Sequence, residues 1–472
     1  MNLDGLIKDA FGIDILNYPK VISKANECFR AYSGNPDWID ADDNITTAGF
    51  ANTICQEVAR LAMLGTSVKI EGSARAKFLQ GIIDKNYSNL RKWVELSYAF
   101  GTVIVKPNGA DFDCYTPDEF RITETLNDEI WGAVFVDSRK ADTDKWYTRL
   151  EYHRFEDGQY IVSNRCYVGK SKYDSQEAVP IEETMWRGIM EEAVMDNVTR
   201  PIFSVIKSPN ANNIEVDSPL GLPIICGAMQ ELHDLDIAYS RFTLEIDESK
   251  KLVMIDSDRL IKDGGSKKDK ESTVYKLDYA RANMGLPAYV RAVEGTGEGN
   301  IYNEVNPTLQ TEPRIAGINY LLSQISYKIG FSNGYFVFNE TQGIQTATGV
   351  EASQQRTIQF VKDYRDVIEM AVKNLIESLA KVADVLNLSP AGEYEVNLDF
   401  GDITYNREED RARYYSYVSS GLFPFWRFLV KFEGFTEDDA KAIEQEMKAQ
   451  AQERAMGGIG TLFAQAQNDM QE

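Results

Sequence analysis

Residues 313–329 read PRIAGINYLLSQISYKI, residues 330–346 read GFSNGYFVFNETQGIQT, and residues 347–388 read ATGVEASQQRTIQFVKDYRDVIEMAVKNLIESLAKVADVLNL. In the first segment Ile315, Ile318, Leu321, Leu322, Ile325 and Ile329 recur at steps of three and four, the spacing of one helical face. Gly330 and the run Phe331-Ser332-Asn333-Gly334-Tyr335 break that helix, because glycine and asparagine accept the left-handed backbone of helix ends. The middle segment is aromatic and has no core pattern of its own. In the third, Ile358, Val361, Tyr364, Ile368, Ala371, Leu375, Leu379, Val382 and Leu386 keep a spacing near 3.5. A helix from about Thr346 to Leu386 spans roughly 60 Å at 1.5 Å per residue, twice the width of a small domain. Single-domain enzymes rarely need such a helix; ring-shaped assemblies often do.

Around this stretch the chain is acidic. Its 472 residues carry 73 Asp and Glu against 50 Lys and Arg, a net charge of −23 that two histidines cannot alter near neutrality. Affinity for phosphates comes mainly from Lys and Arg, so such a chain repels nucleic acid rather than gripping it; solubility alone also accounts for the excess. An apolar content of 43% is ample for several buried cores. Cys28, Cys55, Cys114, Cys166 and Cys226 are scattered, with no Cys-x-x-Cys, and read as reduced thiols of a cytosolic protein. Acids in Met1–Asp14 stand where a signal peptide needs bases, and no run of 18 apolar residues predicts a membrane span.

Working back towards the N-terminus, the spacing predicts helices over 47–64 and 74–96 and a strand over 68–71. Strands over 102–105 and 112–115 are joined by Asn108-Gly109, a hairpin signal, and strands over 130–137, 145–153 and 159–168 follow in an α+β region ending near Pro209. From Pro219 the pattern turns helical: Ile224, Ile225, Met229, Leu232, Leu235, Ala238 and Phe242 form a stripe that leaves Glu231, Asp234, Asp236 and Glu245 mostly off it. Lys250–Thr311 is a charged, turn-rich insert. After the long helix come a strand over 394–402 and three short helices over 412–421, 424–435 and 437–456, with a frayed tail.

No catalytic pattern emerges. His153 and His233 stand in different elements without metal-ligand spacing, and each reads as a core or surface residue. There is no nucleophile elbow and no P-loop; Gly295–Gly299 lacks the strand-to-helix context of a dinucleotide site. Asp40–Asn44 lacks the central glycine and closing glutamate of a calcium loop. No cofactor or metal is expected. Paired carboxylates of the glycosidase kind are not selected by any spacing.

The order of elements, together with CFRAYSGNPDWID (28–40), GFANTICQEVARLAMLGTSVKI (49–70), WVELSYAFGTVIVKP (93–107), SPLGLPIICGAMQELHDLDIAYSRFTLEID (218–247) and TGVEASQQRTIQFVKDYRDVIEMAVKNLI (348–376), resembles the portal proteins of tailed double-stranded DNA bacteriophages, particularly long-tailed phages of Gram-positive hosts. The resemblance implies an α+β portal fold: an α/β wing over 1–218, stem helices over 219–249 and 313–330, a small α/β clip over 250–312, a tunnel loop over 331–345, a long spine helix and wing strand over 346–405, and a helical crown over 406–472. It implies a non-enzymatic ring of twelve copies at one capsid vertex of the virion, assembled in the host cytoplasm. Double-stranded DNA would pass through it in packaging, retention and ejection. Its partners would be the terminase large subunit, a head–tail connector, and the major capsid and scaffold proteins, with no membrane. Asn333, Tyr335, Asn339, Glu340, Gln342 and Gln345 would face the DNA from the tunnel loop, which is polar and nearly uncharged. Lys262, Lys267, Lys268 and Lys270 would contact a partner from the clip. The competing readings are another structural or assembly protein of the virion and an intracellular glycoside hydrolase.

Overall fold

The computed structural model describes residues 3–39, 45–142, 144–172, 174–248, 252–256, 290–293, 302–305, 309–337, 347–401, 407–420 and 422–449. The chain divides into two compact units, 1–400 and 401–472. It is a mixed α+β protein whose sheets are predominantly antiparallel.

In the first unit, helices α1 (Leu3–Phe11), α2 (Pro19–Tyr32) and α3 (Phe50–Ala62) precede strand β1 (Ser67–Gly72) and helix α4 (Ala74–Phe100). Helix α4 runs four residues past the predicted Leu96. It stops where Gly101 turns to a φ of +83°, a region that penalises any side chain, and a Cβ there would stand 2.3 Å from the Gly221 carbonyl oxygen. Strands β2 (Thr102–Asn108) and β3 (Asp111–Tyr115) form the expected hairpin, with Gly109 at a φ of +60°.

Next comes a long antiparallel sheet of β4 (Phe120–Leu126), β5 (Glu129–Asp142), β6 (Lys145–Glu156), β7 (Gln159–Ser171) and β8 (Asp174–Val179), with β9 (Glu192–Met195) also paired to β7. Asn127, Asp128, Asp157 and Gly158 take positive φ in its two tight turns, the backbone that matches the strands' twist. Strands β5 to β7 outrun the predicted segments because ladder bonding to a neighbour continues past the last apolar residue. Strand β10 (Ser204–Lys207) then pairs with β2.

Residues 219–228 are not helical, contrary to the predicted start of the first stem helix. Pro219, Gly221 and Pro223 disfavour helix, and the segment spends its backbone bonds on distant partners: Gly221 N–H on Thr102 Oγ1 at 2.8 Å and Ile224 N–H on the Tyr98 carbonyl at 2.9 Å. After a 3-10 turn at Cys226–Ala228, helix α5 covers Met229–Glu248. Asp236, predicted off the buried stripe, is buried. It accepts hydrogen bonds from Trp38 Nε1 at 3.0 Å and Ala48 N–H at 2.8 Å, which compensate its loss of water.

Strands β11 (Leu252–Asp256), β12 (Val290–Val293) and β13 (Tyr302–Val305) form a small sheet in order β12-β11-β13, the first pair parallel and the second antiparallel. Helix α6 (Thr311–Ile329) follows, then helix α7 (Ala347–Val385) and strand β14 (Tyr394–Asp399), which pairs with β1. At 39 residues α7 is about three times the average helix. Val361, Tyr364, Ile368, Val372, Leu375, Ile376, Leu379 and Ala383 are buried along it, whereas Leu386 lies beyond its end and is exposed. Tyr364 meets Tyr98 of α4 edge-on at 4.9 Å. Two buried arginines tie α7 to the body through helix-end carbonyls. Arg365 donates to Leu61, Ala62 and Leu64 after α3, and Arg75 donates to Ala380, Ser389 and Pro390 and pairs with Asp384.

In the second unit, α8 (Arg407–Ser419) and α9 (Phe425–Phe428) replace the predicted 412–421 and 424–435 helices. The latter continues as a single π turn over Leu429–Glu433, and a further helix covers 437–449. The tail beyond 449 lies outside the described residues.

Candidate functional site

Helices α5 and α6 form an antiparallel hairpin, fixed at both ends by charge. Near one end Lys328 Nζ lies 2.7 Å from Glu231, and near the other Arg314 Nε lies 2.6 Å from Glu245, which also accepts the Gln310 N–H at 2.7 Å. The acids that the apolar pattern left off its stripe therefore define the pairing of the hairpin. Hydrogen bonds from Gln310 N–H and Arg314 hold the Glu245 carboxyl below its usual range. Helix α6 buries only Leu322, Ile325, Ser326 and Ile329, all in its C-terminal half; Tyr320 and Tyr327 are 65% and 58% exposed.

Gly330 ends α6 in the left-handed region at a φ of +117°, with its N–H and that of Phe331 both on the Ser326 carbonyl. A Cβ at Gly330 would meet the Phe360 ring at 2.5 Å, so only glycine lets α7 come this close. The first residues of the loop that follows are packed into the body. Phe331 is fully buried and packs with Tyr335, Phe336 and Phe360, while Phe336 meets Phe50 of α3 edge-on at 5.2 Å. Ser332 and Thr357 bond reciprocally, Ser332 N–H to Thr357 Oγ1 at 2.9 Å and the two hydroxyls at 3.0 Å. Arg356 donates to the Tyr327 carbonyl at 2.8 Å with its guanidinium 4.0 Å from that tyrosine's ring centre.

The anchor reaches far across the sequence. Tyr335 donates its hydroxyl to Glu57 Oε1 at 2.6 Å, and Arg60 donates to both oxygens of the same carboxylate. Burial alone would raise the Glu57 carboxyl; hydrogen bonds from Arg60 and Tyr335 outweigh it and hold the carboxyl below its usual range. Burial and the Glu57 carboxylate push the Tyr335 phenol well above its usual range.

Of the residues predicted to face DNA, Asn333 is exposed and Tyr335 is half-buried with its hydroxyl engaged; Asn339, Glu340, Gln342 and Gln345 lie outside the described residues. The partner-contact lysines Lys262, Lys267, Lys268 and Lys270 lie there as well. Sequence reasoning missed Glu57, Ser332, Phe331 and Thr357. The one available signal was the clustering of Phe331, Tyr335 and Phe336 directly after a helix-ending glycine, a density of aromatics that favours burial.

The two histidines differ. His233 is half-buried beside Trp38. His153 is buried in a closed network on the long sheet. The Ile202 N–H is bonded to Tyr160 Oη at 3.0 Å, which leaves the tyrosine proton to His153 Nδ1 at 2.8 Å; Nε2 then carries the histidine proton and donates it to Glu151 Oε1 at 2.8 Å. Glu151 Oε2 takes Lys106 and Arg149, each at 3.0 Å. Burial would raise the Glu151 carboxyl, but Lys106 and Arg149 hold it far below its ordinary range, while burial lowers His153 and keeps it neutral. Every oxygen of this carboxylate is occupied by the fold, so the network is a structural tie between strands. Among the described residues there is no group of three or more potential metal ligands, and no helix is long and apolar enough to cross a membrane. No protein-family model matches this sequence, and no curated protein matches it.

Proposed function

We propose that this chain is the subunit of a portal-type ring, a non-enzymatic channel through which duplex DNA is packaged, retained and ejected at one vertex of a virion. The observation that carries the reading is the antiparallel α5/α6 hairpin with a small three-stranded sheet inserted between its helices. It continues through an anchored aromatic turn into a 39-residue helix of the main body. In this reading α5 and α6 are the stem, the inserted sheet belongs to the clip, residues 331–345 form the tunnel loop, and α7 is the spine. The clip serves terminase and connector, and the body serves capsid and scaffold.

DNA in such a channel must pass without adhering. Net charge summed around a ring of twelve makes a wall that repels phosphate, so DNA slides rather than sticks. The first residues of the 331–345 loop are clamped to the body by Phe331, Ser332 and Tyr335. Negative-stain microscopy with mass photometry of the purified protein tests the reading directly. Rings of about twelve subunits with a hole of roughly duplex width, about 20 Å, support it; a globular monomer that stays monomeric in the presence of scaffold and capsid proteins overturns it. Deletion of 339–345, which spares the buried anchor, should leave rings intact and impair DNA retention; loss of rings would make the loop an assembly element instead.

A further inference from the structure

The second unit contains a basic and aromatic surface at odds with the chain's overall charge. Residues 411–432 include Arg411, Arg413, Arg427 and Lys431 and not one Asp or Glu, although acids outnumber bases in the whole sequence. Phe428 and Phe432 form the buried floor of this unit, 5.2 Å apart between ring centres. The turn of π helix after α9 brings Arg427 and Lys431 to the surface, one turn apart. They border an open hollow of about 350 Å³ lined by Tyr414, Phe423, Trp426, Arg427, Val430 and Lys431, two cations and no carboxylate.

Both cations are held in place by rings. Lys431 Nζ sits 3.9 Å from the Tyr414 ring centre, and the Arg427 guanidinium sits 5.1 Å from that of Trp426. Nearby cations are already neutralised: Arg411 pairs with Glu433 at 2.7 Å and Lys441 with Glu437. Arg427 and Lys431 have no such ion pair among the described residues. Glu437 is the acid whose charge Arg427 feels, and that carboxyl is already bonded to Lys441.

We infer that Arg427 and Lys431, set over this aromatic hollow, form a contact site for the phosphodiester backbone of duplex DNA. Two exposed cations a helical turn apart, about 6 Å at Cβ, reach successive phosphates of one strand. Charges elsewhere on the chain are screened beyond about 8 Å at physiological ionic strength, so repulsion slows the approach while the local pair governs the contact. The resulting hold is weak and salt-sensitive, which suits DNA that must move. The choice of partner rests on the proposed channel; the surface itself does not.

The test uses the full chain and a fluorescein-labelled duplex of about 30 base pairs, with anisotropy read across a salt series. Wild type should bind at low salt, with a log–log slope that falls by about 2 in the double variant Arg427→Gln/Lys431→Gln and by about 1 in each single variant, because each phosphate contact contributes about 0.9. Lys448→Gln, whose lysine is paired with Glu444 at 3.1 Å and does not line the hollow, should leave the slope unchanged. Equal slopes in wild type and double variant, or no binding by wild type at low salt, overturn the inference. So does a changed oligomeric mass in the double variant, which would make the hollow a contact between copies. Mass photometry on the same samples separates the two readings: rings with no salt-dependent contact sink this site alone, and DNA contact by protein that never forms rings sinks the channel alone.

Discussion

Helices α6 and α7 have the same apolar periodicity in the sequence and very different surroundings in the molecule. From Thr357 to Ala383, α7 is buried against α3, α4, β2 and β10; its own Arg365 bonds carbonyls of the body, and Arg75 of the body bonds the Ala380 carbonyl of α7. Helix α6 is covered only in its second half, and its exposed side presents Ala316, Gly317, Tyr320 and Tyr327. Its partner α5 also leaves Tyr239, Leu244 and Ile246 open. One helix is a scaffold that the chain completes by itself. The other is a half-covered surface, which the proposed ring of copies would complete; periodicity alone does not distinguish a covered helix from a half-covered one.

Leu375→Ala in α7 removes a buried side chain from a packed core and should lower unfolding stability by about 2–5 kcal/mol, read from urea denaturation. A loss below about 1 kcal/mol would mean that α7 is not the scaffold. Gly330→Ala places a methyl against the Phe360 ring on a left-handed backbone and should cost about 1–3 kcal/mol, measured the same way. Stability equal to wild type would show that the approach of the loop and α7 relaxes freely.

Tyr335→Phe tests the anchor between them and should cost about 1 kcal/mol at neutral pH. Since Glu57 titrates below its ordinary value of 4.5 in the folded protein, its contribution is present above that value and is lost as pH falls through the lowered one. The difference between wild type and Tyr335→Phe should accordingly be constant from about pH 6 to 8 and shrink below about pH 4. A difference that grows on acidification would contradict the bond. The smallest effect on the fold belongs to Tyr320→Ser, at most about 0.5 kcal/mol in a thermal melt, because the ring is exposed. The same variant should reduce the assembled fraction in mass photometry; unchanged assembly would mean that this face of α6 takes no part in it.

The segments legible in the sequence are those whose cause is local. The long helix was bounded to within one residue at each end, and Asn108-Gly109 turned its hairpin where expected, because helical periodicity and turn chemistry are set by neighbours a few positions away. The hairpin of α5 and α6 is half legible: its apolar stripe gives two helices, but the start at Met229 follows from residues 219–224 spending backbone bonds on Thr102 and Tyr98.

Contacts between residues about two hundred or more positions apart are set by how the elements pack. Tyr335 finds Glu57 across 278 residues, Asp236 finds Trp38 across 198, and Arg75 finds the end of α7 across more than 300. Each is a polar group that looks solvated in the sequence and is compensated in the fold by distant partners. Sequence patterns record where apolar surface must be buried. They do not record which distant carboxylate or carbonyl will satisfy a buried donor, because that depends on how the elements pack and not on any spacing along the chain.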